Sequence, residues 1–326
     1  MIQSLRKSQK KRLIILEPHR FPVDSEEEIS KYFEVEKGPL SRRELITEVY
    51  KYDGIITRLG HRIDSEVIEC GSRLQFLASA TTGLTHFDLE ACARREIRII
   101  SLKDDYNFLS EITSTAELTF GLMLALSRNL IPAAIETSQA IWNRDNNIGH
   151  TLSNKVLGIV GLGRLGKMVA EYGKAFNMKV IATESADVDY HGVPILPIRE
   201  IFSSSDFISI HLPANSSTRD IVNKQLIALM KETAYLINTS RGEVLDENAL
   251  LESLMAQRIG GAALDVLKGE YLPEHRSLMM KLFDYSAENR NLIMTPHIGG
   301  ATYDDMFIAE KRLTEKILSS VKEIWG

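Results

Sequence analysis

Cysteine is nearly absent from this chain: Cys70 and Cys92 are the only two in 326 residues. Two cysteines cannot form a disulfide framework, and with no CxxC or Cys/His cluster there is no metal-ligand spacing, so no metal site is expected. Both read as small buried hydrophobes. A long apolar run is also missing. The most apolar stretch, Leu118–Leu130, is interrupted by Thr119, Gly121, Ser127, Arg128 and Asn129. It falls short of the ~20 residues of a membrane span and reads as a buried helix. The basic N-terminus (Arg6, Lys7, Lys10, Lys11, Arg12) precedes an apolar run that stops at Glu17-Pro18, too short for a signal peptide, so the chain is read as cytoplasmic. Charge of one sign is scarce as well. A net of -5 offers no global attraction for nucleic acid or an anionic membrane, and neither is an expected partner.

What is present is an ordinary globular composition, 44% hydrophobic and 25% charged, in a length that suggests two domains of ~150 residues. Short β-branched runs alternate with helical periodicity, which predicts an α/β protein with parallel sheets. Arg12–Leu16, Gly54–Thr57, Phe76–Ala78 and Ile97–Ile100 read as strands of a first sheet, with helical stretches over Glu26–Phe33 and Ser65–Cys70. After a helix at Ser114–Asn129, six further strands are expected at Val156–Val160, Lys179–Ala182, Phe207–Ile210, Tyr235–Asn238, Gly261–Leu264 and Leu292–Met294. They are enough for a complete doubly wound sheet. A final helix covers Asp304–Trp325, and its periodicity does not say which sheet it joins.

The first strand of the second set runs into Gly161-Leu-Gly163-Arg-Leu-Gly166, and a helical segment follows over Lys167–Phe176. Three glycines alone are weak evidence, but strand, turn and helix together make a dinucleotide-binding fingerprint. Gly161 permits the turn, Gly163 lets the backbone approach a pyrophosphate, and Gly166 lets helix and strand pack closely, with Arg164 and Leu165 between them at the cofactor. Glu184 follows eighteen residues after Gly166, where a carboxylate accepts ribose hydroxyls and repels a 2'-phosphate, so NAD is expected in preference to NADP. Arg164 is the one feature that would turn toward such a phosphate.

Three more segments follow directly on expected strands and carry polar groups: Asn238–Glu243, Ala263–Glu270 and Thr295–Thr302. Carboxyl ends of parallel strands face the ligand crevice, so Arg241, Asp265 and His297 converge on the nicotinamide end of the cofactor. Taken singly, Arg241, Glu270 and His297 each have an ordinary structural explanation, as a salt-bridged Arg, an exposed loop Glu and a hydrogen-bonded His.

Taken together with Gly158–Gly166 and Asp206–Pro213, these segments make the sequence resemble the D-isomer-specific 2-hydroxyacid dehydrogenases, over nearly the whole chain and in the family's order. The resemblance implies two Rossmann-like doubly wound domains. A flavodoxin-like substrate (catalytic) domain would comprise residues 1–111 plus 300–326, and an NAD-binding domain residues 112–299. It places Arg241, Glu270 and His297 on the catalytic Arg, Glu and His, and Asp265 near the nicotinamide. An imidazolium donates a proton to the 2-oxo carbonyl, a neighbouring carboxylate favours its charged form, and a guanidinium holds the substrate carboxylate.

The Ser114–Asn129 helix, with Glu117, matches a segment that supports dimerisation, so a homodimer is expected. The chain ends shortly after Trp325, so a phosphoglycerate dehydrogenase-like short form without a regulatory domain is expected. Substrate contacts would come from backbone N–H groups of Thr82 and Gly83, and from Arg58, which matches an Arg that meets a substrate phosphate; 3-phosphoglycerate or a similar anionic acid is the implied substrate. His86 reads as structural.

The sequence departs from the family's pattern at Leu267, Lys268-Gly269 and Tyr271 around the catalytic Glu, and in the loop Thr81–Asp88. Two other readings share the fold: a non-catalytic NAD-binding corepressor-like module, which would not require Arg241, Glu270 and His297, and a formate or phosphite dehydrogenase.

Overall fold

A computed structural model describes residues 10–185, 190–270 and 275–325. Arg6, Lys7 and Tyr271, singled out in the sequence, lie outside the described residues. The chain divides into two compact units: residues up to Glu111 with those from Tyr303 onward, and Ile112–Thr302.

In the first unit, five parallel strands, β1 (Lys11–Ile15), β2 (Phe33–Lys37), β3 (Gly54–Ile56), β4 (Phe76–Ser79) and β5 (Arg98–Ser101), lie in the order β2-β1-β3-β4-β5. This is the flavodoxin-like order. The continuous apolar run in β1 follows from burial on both faces. Leu13 and Ile15 face one core with Phe33 and Phe76, while Ile14 and Leu16 face another with Leu45 and Ile55. The C-terminal helix Tyr303–Trp325 inserts Leu313 and Ile317 into the first of these cores.

One expected element is corrected. The helix read over Glu26–Phe33 spans Val23–Ser30, and Phe33 begins β2. β2 is an edge strand of mixed charge whose Glu34 and Glu36 pair with Arg12 on β1. An edge strand bears such charges without loss, and they mask its period of two.

In the second unit, β6 (Val156–Val160), β7 (Lys179–Thr183), β8 (Phe207–Ile210), β9 (Tyr235–Asn238), β10 (Gly261–Leu264) and β11 (Leu292–Met294) form a parallel sheet ordered β11-β10-β9-β8-β6-β7. The chain leaves β6 for β7 and returns to β8 on the other side. The ligand crevice of such a sheet lies at that switch, beyond the carboxyl ends of β6 and β8. The helix Ser114–Ser127 buries Phe120, Met123 and Leu126 against Leu157, Ile159, Phe207 and Ile237 of this sheet. A fully buried side chain of this kind contributes about 1.5–3 kcal/mol. The helix stops at Ser127, Asn129 turns in the left-handed region at φ 50°, and a second helix runs over Leu130–Ser138. No single helix among the described residues is long and apolar enough to cross a membrane.

Candidate active site

The glycine loop after β6 separates three structural demands. Gly161 has φ 96°, and a Cβ there would lie 2.7 Å from the His211 carbonyl oxygen across the switch point. A Cβ on Gly163 would meet nothing within 4 Å, which leaves the N-terminus of the helix Arg164–Ala175 open to an incoming group. A Cβ on Gly166 would come within 2.1 Å of the Gly161 carbonyl oxygen, so only glycine lets the helix sit this close. An open helix N-terminus with an unobstructed backbone suits a pyrophosphate.

Around this loop the side chains differ in their commitments. Glu184, just past β7, accepts the Leu162 N–H at 2.8 Å with Oε2 and the Ser185 N–H at 2.7 Å with Oε1. Its carboxylate therefore reaches across to the glycine loop, where a ribose would sit. Arg164 Nη1 donates to the Ile112 carbonyl at 2.6 Å. Leu165 packs against the apolar core, so only its backbone remains for a ligand.

Arg241, Glu270 and His297 come from loops after β9, β10 and β11 of the same unit. Asn238, at the end of β9, shapes the first loop: Nδ2 donates to the Arg241 carbonyl at 2.9 Å, and Oδ1 accepts from Ser240 N–H and Oγ. Arg241 is extended, and its Nη1 donates to the Ser240 carbonyl at 2.5 Å. Burial lowers the affinity of the guanidinium for its proton, while Glu243 and Glu270 act against that.

A Cβ on Gly242 would lie 2.0 Å from the Leu267 carbonyl carbon, so the β9 and β10 loops touch backbone to backbone. The second loop is held from beneath. The Lys268 N–H donates to Glu247 Oε1 at 2.6 Å, and Lys268 Nζ donates to Asp220 at 2.8 Å. Gly269 takes φ 60°, a left-handed turn that delivers Glu270 to His297. Glu270 Oε1 makes a short hydrogen bond with His297 Nδ1, and Oε2 accepts the Leu267 N–H.

His297 has φ 54°, a conformation that few non-glycine residues adopt without support. Asp265 supplies the support. Its carbonyl accepts the His297 N–H at 2.8 Å, and its carboxylate accepts Thr295 Oγ1 at 2.6 Å and the N–H groups of Ile298 and Gly299 at 2.8 Å. The residue expected beside the nicotinamide thus has its carboxylate committed to the histidine loop. Burial raises the pKa of Asp265, and these hydrogen bonds oppose the rise.

In the first unit, Thr81 Oγ1 donates to the Gly83 carbonyl at 2.8 Å, and the N–H groups of Thr82 and Gly83 have no hydrogen-bond partner among the described residues. His86 is buried against the Phe87 ring, centroids 4.1 Å apart, consistent with a structural residue. Arg58 is neither a solvated loop residue nor a free arm. Nε donates to Glu310 Oε1 at 2.6 Å and Nη1 to the His19 carbonyl at 3.0 Å. Sequence reasoning missed Glu247 and Glu310. Glu247 follows the helix N-cap Asp246 and looks like any acidic first-turn residue, and Glu310 sits in a charged stretch of a long helix. Neither carries a local sign of burial.

Residues 120–299 match the D-isomer specific 2-hydroxyacid dehydrogenase, NAD binding domain. The chain is 36% identical over 287 residues to a D-3-phosphoglycerate dehydrogenase of Sus scrofa, an alignment covering 87% of this chain and 50% of that protein. It is 32% identical over 289 residues to a hydroxypyruvate reductase of Thermotoga maritima, covering 88% of this chain and 91% of the relative. The chain therefore spans about half the length of the phosphoglycerate dehydrogenases it matches. Among solved structures, D-lactate dehydrogenase from Aquifex aeolicus complexed with NAD and lactic acid superposes with a TM-score of 0.83 and 25% identity, covering 95% of each chain.

Proposed function

Because the chain belongs to the D-isomer specific 2-hydroxyacid dehydrogenases, we propose that it interconverts a D-2-hydroxy acid and its 2-oxo acid with NAD. The observation that carries this reading is the hydrogen bond between Glu270 and His297, set in the same unit as Arg241 and the glycine loop. When bound, the nicotinamide supplies or accepts the hydride at C2 of the substrate. His297 gives a proton to the carbonyl oxygen during reduction and takes it back from the hydroxyl during oxidation. Glu270 fixes the ring through Nδ1, leaving Nε2 for the substrate. Arg241 offers a planar set of donors to the substrate carboxylate, which a lysine in its place would not reproduce.

The second unit holds NAD through Gly161, Gly163, Gly166 and the backbone of Arg164 and Leu165, with Glu184 on the ribose. The first unit is the substrate domain, and the N–H groups of Thr82 and Gly83 take part in carboxylate binding. Leu130, Ile131, Ile135, Trp142 and Ile148 leave an exposed apolar surface beside the Ser114–Ser127 helix, and this supports a homodimer. The protein would act in the cytoplasm.

NADH consumption by the purified chain, assayed with glyoxylate, pyruvate, hydroxypyruvate and phosphohydroxypyruvate, tests the reading. Turnover of at least one is expected, and none with any of them would refute it.

A further inference from the structure

In the first unit the carboxyl ends of β1, β3 and β4 lie side by side, and the residues just beyond them are Glu17, Arg58 and Thr81–Gly83. This edge of a parallel sheet is where ligands bind. Arg58 is the cation there, and its state is set by a residue 252 positions away. Glu310, on the helix Tyr303–Trp325, is 2% exposed and accepts from Arg58 Nε at 2.6 Å. Arg58 itself is 20% exposed.

The neighbouring charges are paired too. Glu17 accepts Thr57 Oγ1, the Arg58 N–H and the Gly60 N–H, and lies 3.2 Å from His61 Nδ1. These bonds hold Glu17 below the usual carboxylate range and raise His61, against the effect of burial. Arg58 with Glu310, and His61 with Glu17, therefore leave no uncompensated positive charge from these four groups.

A phosphate or second carboxylate on a substrate is recognised by a guanidinium whose charge and fork of donors are both available. Here a buried carboxylate occupies Nε, a backbone carbonyl occupies Nη1, and the same carboxylate repels an incoming dianion. Arg58 Nη2 and Glu310 Oε2 are buried without partners, one a donor and one an acceptor. That combination suits a neutral group that both donates and accepts, not a phosphate that only accepts.

We propose that Glu310 is a specificity-determining residue: by neutralising Arg58 it directs this enzyme to 2-oxo acids with an uncharged tail, hydroxypyruvate among them, and against phosphorylated or dicarboxylic ones. The proposal rests on the dehydrogenase reading above and goes beyond it in assigning the substrate class. It also reverses the sequence expectation that Arg58 meets a substrate phosphate.

The test compares kcat/KM for hydroxypyruvate and phosphohydroxypyruvate in the full chain with NADH. The unmodified protein is expected to favour hydroxypyruvate. Glu310→Gln, which keeps the side-chain volume and an oxygen for Nε, should raise the phosphorylated-to-neutral ratio on the order of tenfold by releasing the charge of Arg58. The double substitution Arg58→Met with Glu310→Leu removes both charges and should leave that ratio near the parent's. Thermal shifts with 3-phosphoglycerate and D-glycerate give a second readout that needs no turnover, and only Glu310→Gln should gain protection from the phosphorylated acid.

An unmodified chain that prefers phosphohydroxypyruvate, or a folded Glu310→Gln protein with an unchanged ratio, would overturn the proposal while leaving the dehydrogenase reading intact. If Glu310→Gln does not fold, the preference of the unmodified chain decides. Absence of turnover with every 2-oxo acid would instead remove the dehydrogenase reading, and the thermal shifts would still decide whether the phosphorylated acid is excluded.

Discussion

Asp265 holds His297 in a left-handed backbone conformation, with its carbonyl on the His297 N–H and its carboxylate on the N–H groups of the next two residues. The imidazole is thereby aimed from one side by backbone constraint and from the other by the Glu270 carboxylate. An Asn at position 265 keeps the shape but turns one oxygen into a donor facing donors. Asp265→Asn is therefore expected to cost about 2 kcal/mol in denaturant-induced unfolding and to reduce kcat more than NADH affinity. A kcat equal to the parent's would show that the loop holds itself.

His297 and Glu270 should separate by the size of the loss. His297→Ala should lower kcat ~100-fold or more with little change in the Kd of NADH, because it removes a proton donor and no cofactor contact. Glu270→Gln should retain part of the rate, with kcat lower by roughly tenfold and the Kd of NADH unchanged, since an amide holds the ring at Nδ1 less firmly than a carboxylate. Steady-state rates and NADH binding titrations check both. A kcat that stays in place after Glu270→Gln would show that Glu270 does not orient the ring.

Much of this arrangement is legible in the sequence because its signals are local. Each strand of the second sheet is a short, largely apolar run, and the glycines of the β6 loop announce a turn, an open approach and a close packing contact, which is what their surroundings show. The residues that escaped are defined by distant partners. β2 alternates Phe33 and Val35 with charges that only an edge position explains. Asp265 gives no local sign that its carboxylate also supports a loop some thirty residues on, through Thr295 Oγ1 and the Ile298 N–H. Arg58 looks like an available cation until Glu310, on the last helix, is placed against it.

Cofactor choice depends on Glu184. Its Oε2 already meets the glycine loop at the Leu162 N–H, so a 2'-phosphate at the adenosine ribose would face a fixed carboxylate. Glu184→Ser should narrow the preference for NADH over NADPH by roughly tenfold or more, measured as the ratio of kcat/KM values. Equal use of both cofactors by the unmodified protein would contradict this.

Glu247 gives a prediction about pH and stability. Burial raises its pKa to about 7 from an ordinary 4.5, the Lys268 N–H and the Lys268 charge pull it back down, and Glu243 and Glu270 push it further up. The folded-state value lies above the unfolded one, so the contribution of this group to stability is full below about 4.5 and is lost as pH rises through about 7. Gln at this position keeps an oxygen for the Lys268 N–H and has no charge to bury. Glu247→Gln should therefore be more stable than the parent by roughly 2–3 kcal/mol above about pH 8, with the difference falling below ~1 kcal/mol near pH 5. Denaturant unfolding of both proteins across that range measures it. Glu247 supports the backbone two residues before Glu270, so the same titration should loosen the loop that carries the partner of His297. A stability difference that is constant with pH would mean that Glu247 stays ionised in the fold, and that its bond to Lys268 outweighs its burial.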